Sequence, residues 1–203
     1  MKFQSIVLLS VLCCLRASAA SQPEGSVEEG QTKSATCVAC HGPNGNSPNP
    51  EWPNIAGQHQ PYIFKQLQAF KSGERQNPLM SPIATTLSED DMADLAAYYA
   101  TQTIEGLEAD PNQVELGERV YRGGDAESDV AACAGCHGPR GNGNPTALYP
   151  ALHGQHATYV AAQLRAYRAA TRRTDQNQIM RDITRTMSDQ QIDAVAAYIQ
   201  GLR

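Results

Sequence analysis

The chain has 203 residues, of which 41% are apolar and 18% are charged, and its formal net charge is −5 at pH 7. An acidic chain of this kind is not expected to bind nucleic acid, whose partners usually carry basic patches. Its longest apolar run, residues 6–15, is too short to cross a bilayer, which takes about 20 residues. We therefore expect a soluble protein.

The first twenty residues predict a secretory signal peptide. Lys2 precedes the apolar run, and the small residues Ala-Ser-Ala-Ala follow it at 17–20, which is the usual order of such signals. Cleavage after residue 19 or 20 would also remove Cys13 and Cys14. A lipid anchor on one of these cysteines is the alternative, but Leu12 stands where a small residue is usual. The signal predicts export.

The sequence Cys-Val-Ala-Cys-His at residues 37–41 is the first of two C-x-x-C-H motifs. In a helical turn its two cysteines and its histidine project from one face. Two thiols so placed can add to the vinyl groups of a porphyrin, and the imidazole can bind the iron as proximal ligand. The pattern returns ninety-six positions later. The candidate residues for two covalent haem c groups are Cys37, Cys40, His41, Cys133, Cys136 and His137.

Three other uses of paired cysteines deserve comparison. A thioredoxin-like C-x-x-C needs a βαβ setting, whereas Gly, Pro and Asn follow both motifs. A four-cysteine zinc site would leave both histidines unexplained. Cysteines this close rarely form structural disulfides, and after removal of residues 1–20 every remaining cysteine belongs to a motif. We therefore expect no structural disulfide.

The two halves of the chain resemble one another well beyond the cysteines. Each begins with Val-x-x-Gly, at Val27 and Val114, where we predict a short helix that leads to the motif. After each motif, a glycine-rich turn and a Gly-Gln-His sequence lead into a second predicted helix, near residues 61–70 and 157–167. Each unit has roughly 90 residues, for which an apolar core alone is marginal. A buried haem would complete it.

Each half is predicted to close with an amphipathic helix. Ser88 and Ser188 are N-cap candidates; Gln191 completes a capping box in the second half, and Asp91 gives a weaker version in the first. Residues 101–112 between the halves are polar and aperiodic, which predicts a linker. The apolar stripes of the closing helices are Met92, Leu95, Ala96 and Tyr99, and Ile192, Val195, Ala196 and Ile199.

The second axial position of each iron decides between a carrier and an enzyme. Four methionines and three further histidines are available in the exported chain. A ligand that both haems need should occur at equivalent places in both halves, and two pairs meet this condition: Met80 with Met180, in predicted loops before the closing helices, and His59 with His156. We favour the methionines, because His/Met ligation is common in electron-transfer haem c proteins. Expected core or surface residues are Met92, Met187 and His153.

Charge is distributed unevenly along the chain. Residues 21–110 carry four basic and twelve acidic side chains, a net charge of −8. Residues 111–203 carry ten arginines and nine acidic side chains, a net charge of +1. Such asymmetry can orient a protein toward charged partners.

The tandem motifs, the Asn-Pro-Leu-Met80 and Asn-Gln-Ile-Met180 segments, and Gly-Gln-His-Ala-Thr-Tyr-Val at 154–160 resemble the dihaem cytochrome c4 family over essentially the whole exported chain. The resemblance implies an all-α fold of two tandem class I cytochrome c domains related by a pseudo-twofold axis, each enclosing one covalent haem c. We expect a signal peptide at 1–20, domains at 21–108 and 114–203, and a linker at 109–113.

The same resemblance implies particular residue roles. His41 with Met80 and His137 with Met180 would be the axial pairs, and the carbonyls of Pro53 and Pro150 would accept hydrogen bonds from the proximal imidazoles. Ser34 departs from the family pattern, which has an aromatic residue where the first and last helices of such a domain meet.

The resemblance further implies a periplasmic carrier of single electrons and not an enzyme. The expected donor is a bc1-type quinol-oxidising complex, and the expected acceptor is a terminal haem-copper oxidase. We expect a monomer, and peripheral association with a membrane is compatible with this role. The alternatives are a dihaem enzyme, such as a peroxidase or a sulfur-compound dehydrogenase, and a fixed subunit of an oxidase.

Overall fold

The structure is a computed structural model that describes residues 23–203. The predicted signal peptide, with Cys13 and Cys14, lies outside the described residues. Strand pairing in the described part of the chain is limited to two isolated bridges, and the rest of its regular structure is helical. No helix described there has the length and apolar character that crossing a membrane would require.

The two halves contain the same series of helices. In the first half these are α1 (Val27–Lys33), α2 (Val38–His41), α3 (Gln60–Ser72), α4 (Met80–Thr85) and α5 (Glu89–Ala100). In the second half they are α6 (Val114–Gly123), α7 (Ala134–His137), α8 (Ala157–Arg168), α9 (Ile179–Thr184) and α10 (Asp189–Gly201). Short 3-10 turns at Ser34–Thr36 and Gln176–Gln178 precede α2 and α9. The predicted first, middle and closing helices are confirmed.

In each half the first and last helices pack directly on one another, and a glycine lies at the contact. A Cβ atom on Gly30 of α1 would clash with the Asp94 carbonyl of α5, and one on Gly117 of α6 would clash with the Ala194 carbonyl of α10. The absence of a side chain therefore lets the two backbones approach closely. This contact explains the Val-x-x-Gly sequence at both places.

Both closing helices begin with capping boxes. Ser88 Oγ accepts from Asp91 N at 3.0 Å, and Asp91 Oδ2 accepts from Ser88 N at 2.9 Å. Ser188 and Gln191 make the equivalent bonds at 3.1 and 2.8 Å. The first box is therefore as complete as the second. The residues of both predicted apolar stripes are at most 3% exposed.

The aromatic residue missing at Ser34 is supplied by the opposite helix. In the second half, Tyr121 of α6 is fully buried and donates to the Gly138 carbonyl at 2.7 Å. In the first half, Tyr99 of α5 is 1% exposed and lies beside Ser34, while Ile199 occupies the matching place in α10. The aromatic ring at this helix contact thus comes from the last helix in the first domain and from the first helix in the second domain. Tyr99 fills the space that the small side chain of Ser34 leaves.

The two halves meet through corresponding residues. Gln58 binds both polar groups of Ala151: its Nε2 donates to the carbonyl, and its Oε1 accepts from the N–H, both at 2.9 Å. Gln155 binds Asn54 in the same way, at 2.7 and 2.8 Å. Equivalent glutamines therefore bind equivalent backbone groups of the opposite half, as a pseudo-twofold axis between the domains requires. The linker, which contains no helix at residues 101–113, runs beside this interface, and its predicted boundaries stay predictions.

Candidate haem-binding cavity

A continuous cavity of about 560 Å³ extends through both halves of the described chain. This volume is typical of cofactor sites. Its lining includes all eight predicted site residues, namely Cys37, Cys40, His41, Met80, Cys133, Cys136, His137 and Met180. The structure therefore brings both motifs and both methionines to one space.

The two motif histidines are buried and held in the same way. Each is 7% exposed, and the Nδ1 atoms of His41 and His137 lie 2.9 Å from the carbonyl oxygens of Pro53 and Pro150. A carbonyl can only accept, so Nδ1 carries the proton and Nε2 keeps its lone pair. Burial lowers the pKa of both rings, against the opposing effect of the carbonyl. A neutral imidazole with a free Nε2 is the form that binds a metal ion.

The four described cysteines are not paired with one another. Cys37 and Cys133 stand at the N-cap positions of α2 and α7, so each motif is a single helical turn. Burial raises the pKa of both thiols, to about 11 for Cys133. No group of three or more His, Cys, Asp or Glu side chains within residues 23–203 could hold a metal ion. The four cysteines therefore do not form, among the described residues, the cluster on which the zinc alternative depends.

The prediction of loops at Met80 and Met180 was wrong in detail, because both residues lie in the first turn of a short helix, α4 or α9. In the first half, Asn77 Oδ1 accepts from the N–H groups of Leu79 and Met80, both at 2.9 Å. Such side-chain capping starts a helical turn. Asn77 stands three residues before the methionine and was the sequence signal for this turn.

The rival histidines are used elsewhere. His59 and His156 are the N-cap residues of α3 and α8. His59 Nε2 donates to the Asn142 carbonyl at 2.7 Å, and His156 Nε2 donates to the Ser47 carbonyl at 2.9 Å, each across the domain interface. Neither residue lines the cavity, nor do Met92 and His153, whereas the buried Met187 does.

Two buried arginines line the cavity and were not predicted from the sequence. Arg75 is 9% exposed and Arg172 is 6% exposed. Each guanidinium donates to Gln66, to Gln163 and to a tyrosine hydroxyl, at 2.8–3.0 Å. The tyrosine is Tyr159 for Arg75 and Tyr62 for Arg172. The repeat offered a signal, since an arginine follows the middle helix in both halves.

The two guanidiniums have neutral partners, and neither joins an ion pair among the described residues. Buried charges are normally balanced by opposite charges. Haem carries anionic propionates, which would supply that balance at the boundary of the two domains. The thiols, the free Nε2 atoms, the methionines and the buried cations thus fit two haem groups.

Comparisons with known proteins agree with this geometry. A family model described as cytochrome c matches residues 27–103 and 114–203. Cytochrome c4 of Pseudomonas aeruginosa is 45% identical over 197 residues, which cover 97% of this chain and 98% of that protein. The chain belongs to the cytochrome c4 family. The crystal structure of reduced recombinant cytochrome c4 from Pseudomonas stutzeri matches with a TM-score of 0.86 and 42% identity, over 88% of this chain and 100% of that one.

A further relative, named thiosulfate dehydrogenase electron acceptor, comes from Stutzerimonas stutzeri. It is 36% identical over 93% of this chain and 89% of its own length. The family assignment confirms the predicted all-α fold of two cytochrome c domains and the two covalent haem c groups. As a member of this family, the protein is a dihaem electron-transfer protein and not an enzyme.

Proposed function

We propose that this protein binds its irons through two matched His/Met pairs and carries single electrons between redox partners in the periplasm. The axial ligands would be His41 with Met80 and His137 with Met180; the thioether cysteines would be Cys37, Cys40, Cys133 and Cys136. The main support for this proposal is the pair of buried histidines, each with Nδ1 bound to a proline carbonyl and Nε2 left free.

The side chains explain why the centre would serve as a carrier. Bound haem supplies a ferric/ferrous couple. With a methionine and a histidine both bound, the iron would have no position left for oxygen or peroxide. Pro53 and Pro150 fix the orientation of the imidazoles, and Arg75 and Arg172 would hold the propionates. Because the two imidazoles and the two guanidiniums are buried and held by hydrogen bonds, little would have to move when the charge of the iron changes.

Two single substitutions test the ligand set. The oxidised protein should show a methionine–ferric charge-transfer band scaled for two haems. Met80→Ala and Met180→Ala should each remove half of this band, and the double variant should remove all of it. His59→Ala is the matched control and should keep the whole band, because its ring is bound to Asn142. A high-spin haem in the unmodified protein, or loss of half the band in the control, would contradict the assignment.

We propose a bc1-type quinol-oxidising complex as donor and a terminal haem-copper oxidase as acceptor. The predicted signal peptide supports the periplasmic location, since haem c attachment is completed outside the cytoplasm. Two features support docking through the first domain: the net charge of −8 over residues 21–110, and the apolar side chains of Leu79 and Ile83, 55% and 36% exposed, at the cavity edge beside Met80.

Salt tests this docking. Attraction between the acidic domain and a basic patch on the oxidase should make the second-order rate of cytochrome oxidation fall as ionic strength rises. A rate that is independent of ionic strength would refute docking through charge.

A second donor is favoured by one comparison. A relative that aligns with 93% of this chain is named for accepting electrons from thiosulfate dehydrogenase. Stopped-flow reduction with purified thiosulfate dehydrogenase plus thiosulfate, compared with reduction by quinol-oxidising membranes, decides between the two donors. The faster reaction identifies the donor class.

A further inference from the structure

Each motif histidine is connected by hydrogen bonds to a glutamine of the other domain. In the first domain, His41 Nδ1 donates to the carbonyl of Pro53 at 2.9 Å. The N–H of the same peptide group belongs to Asn54, and it donates to Gln155 Oε1 at 2.8 Å. One peptide group thus joins the imidazole of the first domain to a side chain of the second.

The second domain contains the mirror arrangement. His137 Nδ1 donates to the carbonyl of Pro150 at 2.9 Å, and the N–H of that peptide group, which belongs to Ala151, donates to Gln58 Oε1 at 2.9 Å. We call each series of imidazole, peptide group and glutamine amide a cross-domain relay.

Both glutamines are fixed in place at their other atoms. Gln155 Nε2 donates to the Asn54 carbonyl at 2.7 Å, and its Oε1 also accepts from the His156 N–H at 3.1 Å. Gln58 repeats these bonds with Ala151 and with its own next residue. Gln58 and Gln155 are 8% and 9% exposed. Water therefore has little access to replace either amide.

We propose that Gln155 is a positioning residue that tunes the redox potential of the haem in the first domain, and that Gln58 does the same for the haem in the second domain. The inference rests on the proposed ligation by His41 and His137. Hydrogen bonds in series polarise one another. A peptide group whose N–H donates has a more negative carbonyl, and a more negative carbonyl makes the imidazole a better electron donor to a metal ion. Electron donation favours ferric iron, so each glutamine lowers the redox potential of the haem in the opposite domain.

Replacement of each glutamine by methionine in the haem-loaded protein tests whether it affects the redox potential of the haem in the opposite domain. Redox titration followed by NMR of the haem methyl signals gives a separate potential for each domain. In Gln155→Met we expect the first haem to shift toward the ferrous form by about two- to fourfold, which is about 18–36 mV at 59 mV per tenfold. The second haem should shift by less than half as much. Gln58→Met should give the reverse pattern.

A matched control removes an interface bond that lies off the relay. His59→Ala breaks only the contact with Asn142, and both potentials should stay unchanged. Equal shifts at both haems, or a larger shift in the domain that carries the substitution, would overturn the proposal. If the methionine variants do not assemble, Gln155→Glu and Gln58→Glu keep the size, and in the neutral acid the hydroxyl donates to the backbone carbonyl in place of Nε2. The C=O of the acid is a weaker acceptor than the amide oxygen. At a pH where the acid is neutral, the shift should fall on the opposite domain with the same sign as in the methionine variants and a smaller size, and any other pattern refutes the relay.

Failure of the relay is distinguishable from failure of the proposed ligation. If His41 or His137 is not an axial ligand, the unmodified protein lacks the low-spin His/Met spectrum. If only the relay is wrong, that spectrum is intact in every variant, and no glutamine variant shifts the potential of the haem in the opposite domain more than that of its own.

Discussion

Replacing Arg172 with methionine tests whether the buried guanidiniums hold the two domains together. Arg172 is 6% exposed and donates four hydrogen bonds of 2.8–3.2 Å. Thr174 and Gln163 accept two of them within the second domain, whereas Tyr62 and Gln66 accept the other two across the interface. Methionine has a similar length but offers no donor.

The size of the effect follows from the bonds that cross the interface. A hydrogen bond from a charged group contributes about 1.5–3 kcal/mol, so the two crossing bonds contribute about 3–6 kcal/mol to the closed interface. Removal of one member of a buried charged network typically costs about 3–5 kcal/mol. Apolar contacts of the methionine recover a part. We therefore expect Arg172→Met to lower the free energy of interface opening by about 3 kcal/mol.

Amide hydrogen exchange at Asn54 and Ala151 measures this opening, because both N–H groups donate across the interface. A loss of about 3 kcal/mol corresponds to about a hundredfold faster exchange. Arg173→Met is the matched control: Arg173 is exposed, and its Nε donates to a carbonyl of the same turn. Its exchange rates should stay within about threefold of those of the unmodified protein. If Arg172→Met also changed the exchange rates by no more than about threefold, the guanidinium would not hold the two domains together.

Four further substitutions test the helix contacts. Tyr121→Phe should lower the free energy of unfolding by about 1 kcal/mol, because the Gly138 carbonyl loses the bond from the Tyr121 hydroxyl and keeps the one from the Gly141 N–H at 3.1 Å. Tyr99→Phe should be neutral, because that hydroxyl has no partner of normal geometry in the described chain; equal losses in denaturant unfolding would contradict this. Gly117→Ala should cost about 1–3 kcal/mol or more by overpacking against the α10 backbone, and an unchanged melting temperature would contradict it. Lys33 binds two aspartates of α5 at 2.8 and 2.6 Å and lowers the pKa of both. A lowered carboxylate pKa stabilises the fold above about pH 4 and loses this effect as the pH falls, so the melting temperature of the unmodified protein should fall more steeply below that pH than that of Lys33→Gln; parallel curves would exclude the effect.

The sequence predicted the interior of each domain well because the signals there are local. A capping box occupies four residues and an apolar stripe repeats every three or four, so Ser88, Ser188 and the residues that follow them were sufficient to define both closing helices. The repeat added a second test of each position. Where local chemistry was overlooked, the prediction failed: Asn77 caps the turn at Met80, and the expected loop is the start of α4.

The interface could not be predicted, because its partners are about a hundred residues apart. Gly-Gln-His occurs twice in the sequence, but nothing near Gln58 indicates that its amide binds Ala151 of the other half. The repeat marks Arg172 by its match with Arg75, but it does not show that the side chain is buried. Its burial becomes apparent only when Tyr62 and Gln66 are brought to it by the packing of the two domains.

The repeat has a further meaning at this interface, where each half supplies what the other half uses. Gly57 and Gly154 adopt φ values of 65° and 67°, a left-handed conformation that glycine tolerates and that sets the glutamine after it. Each glutamine binds the peptide group that holds the motif histidine of the opposite domain. In an isolated half, the glutamine would therefore be exposed to water, and the peptide group of the proline carbonyl would lose its bond to the glutamine of the other half. In each half the bond from the histidine to the proline carbonyl is made within the domain, and only the bond from the next peptide N–H to the glutamine needs the other half.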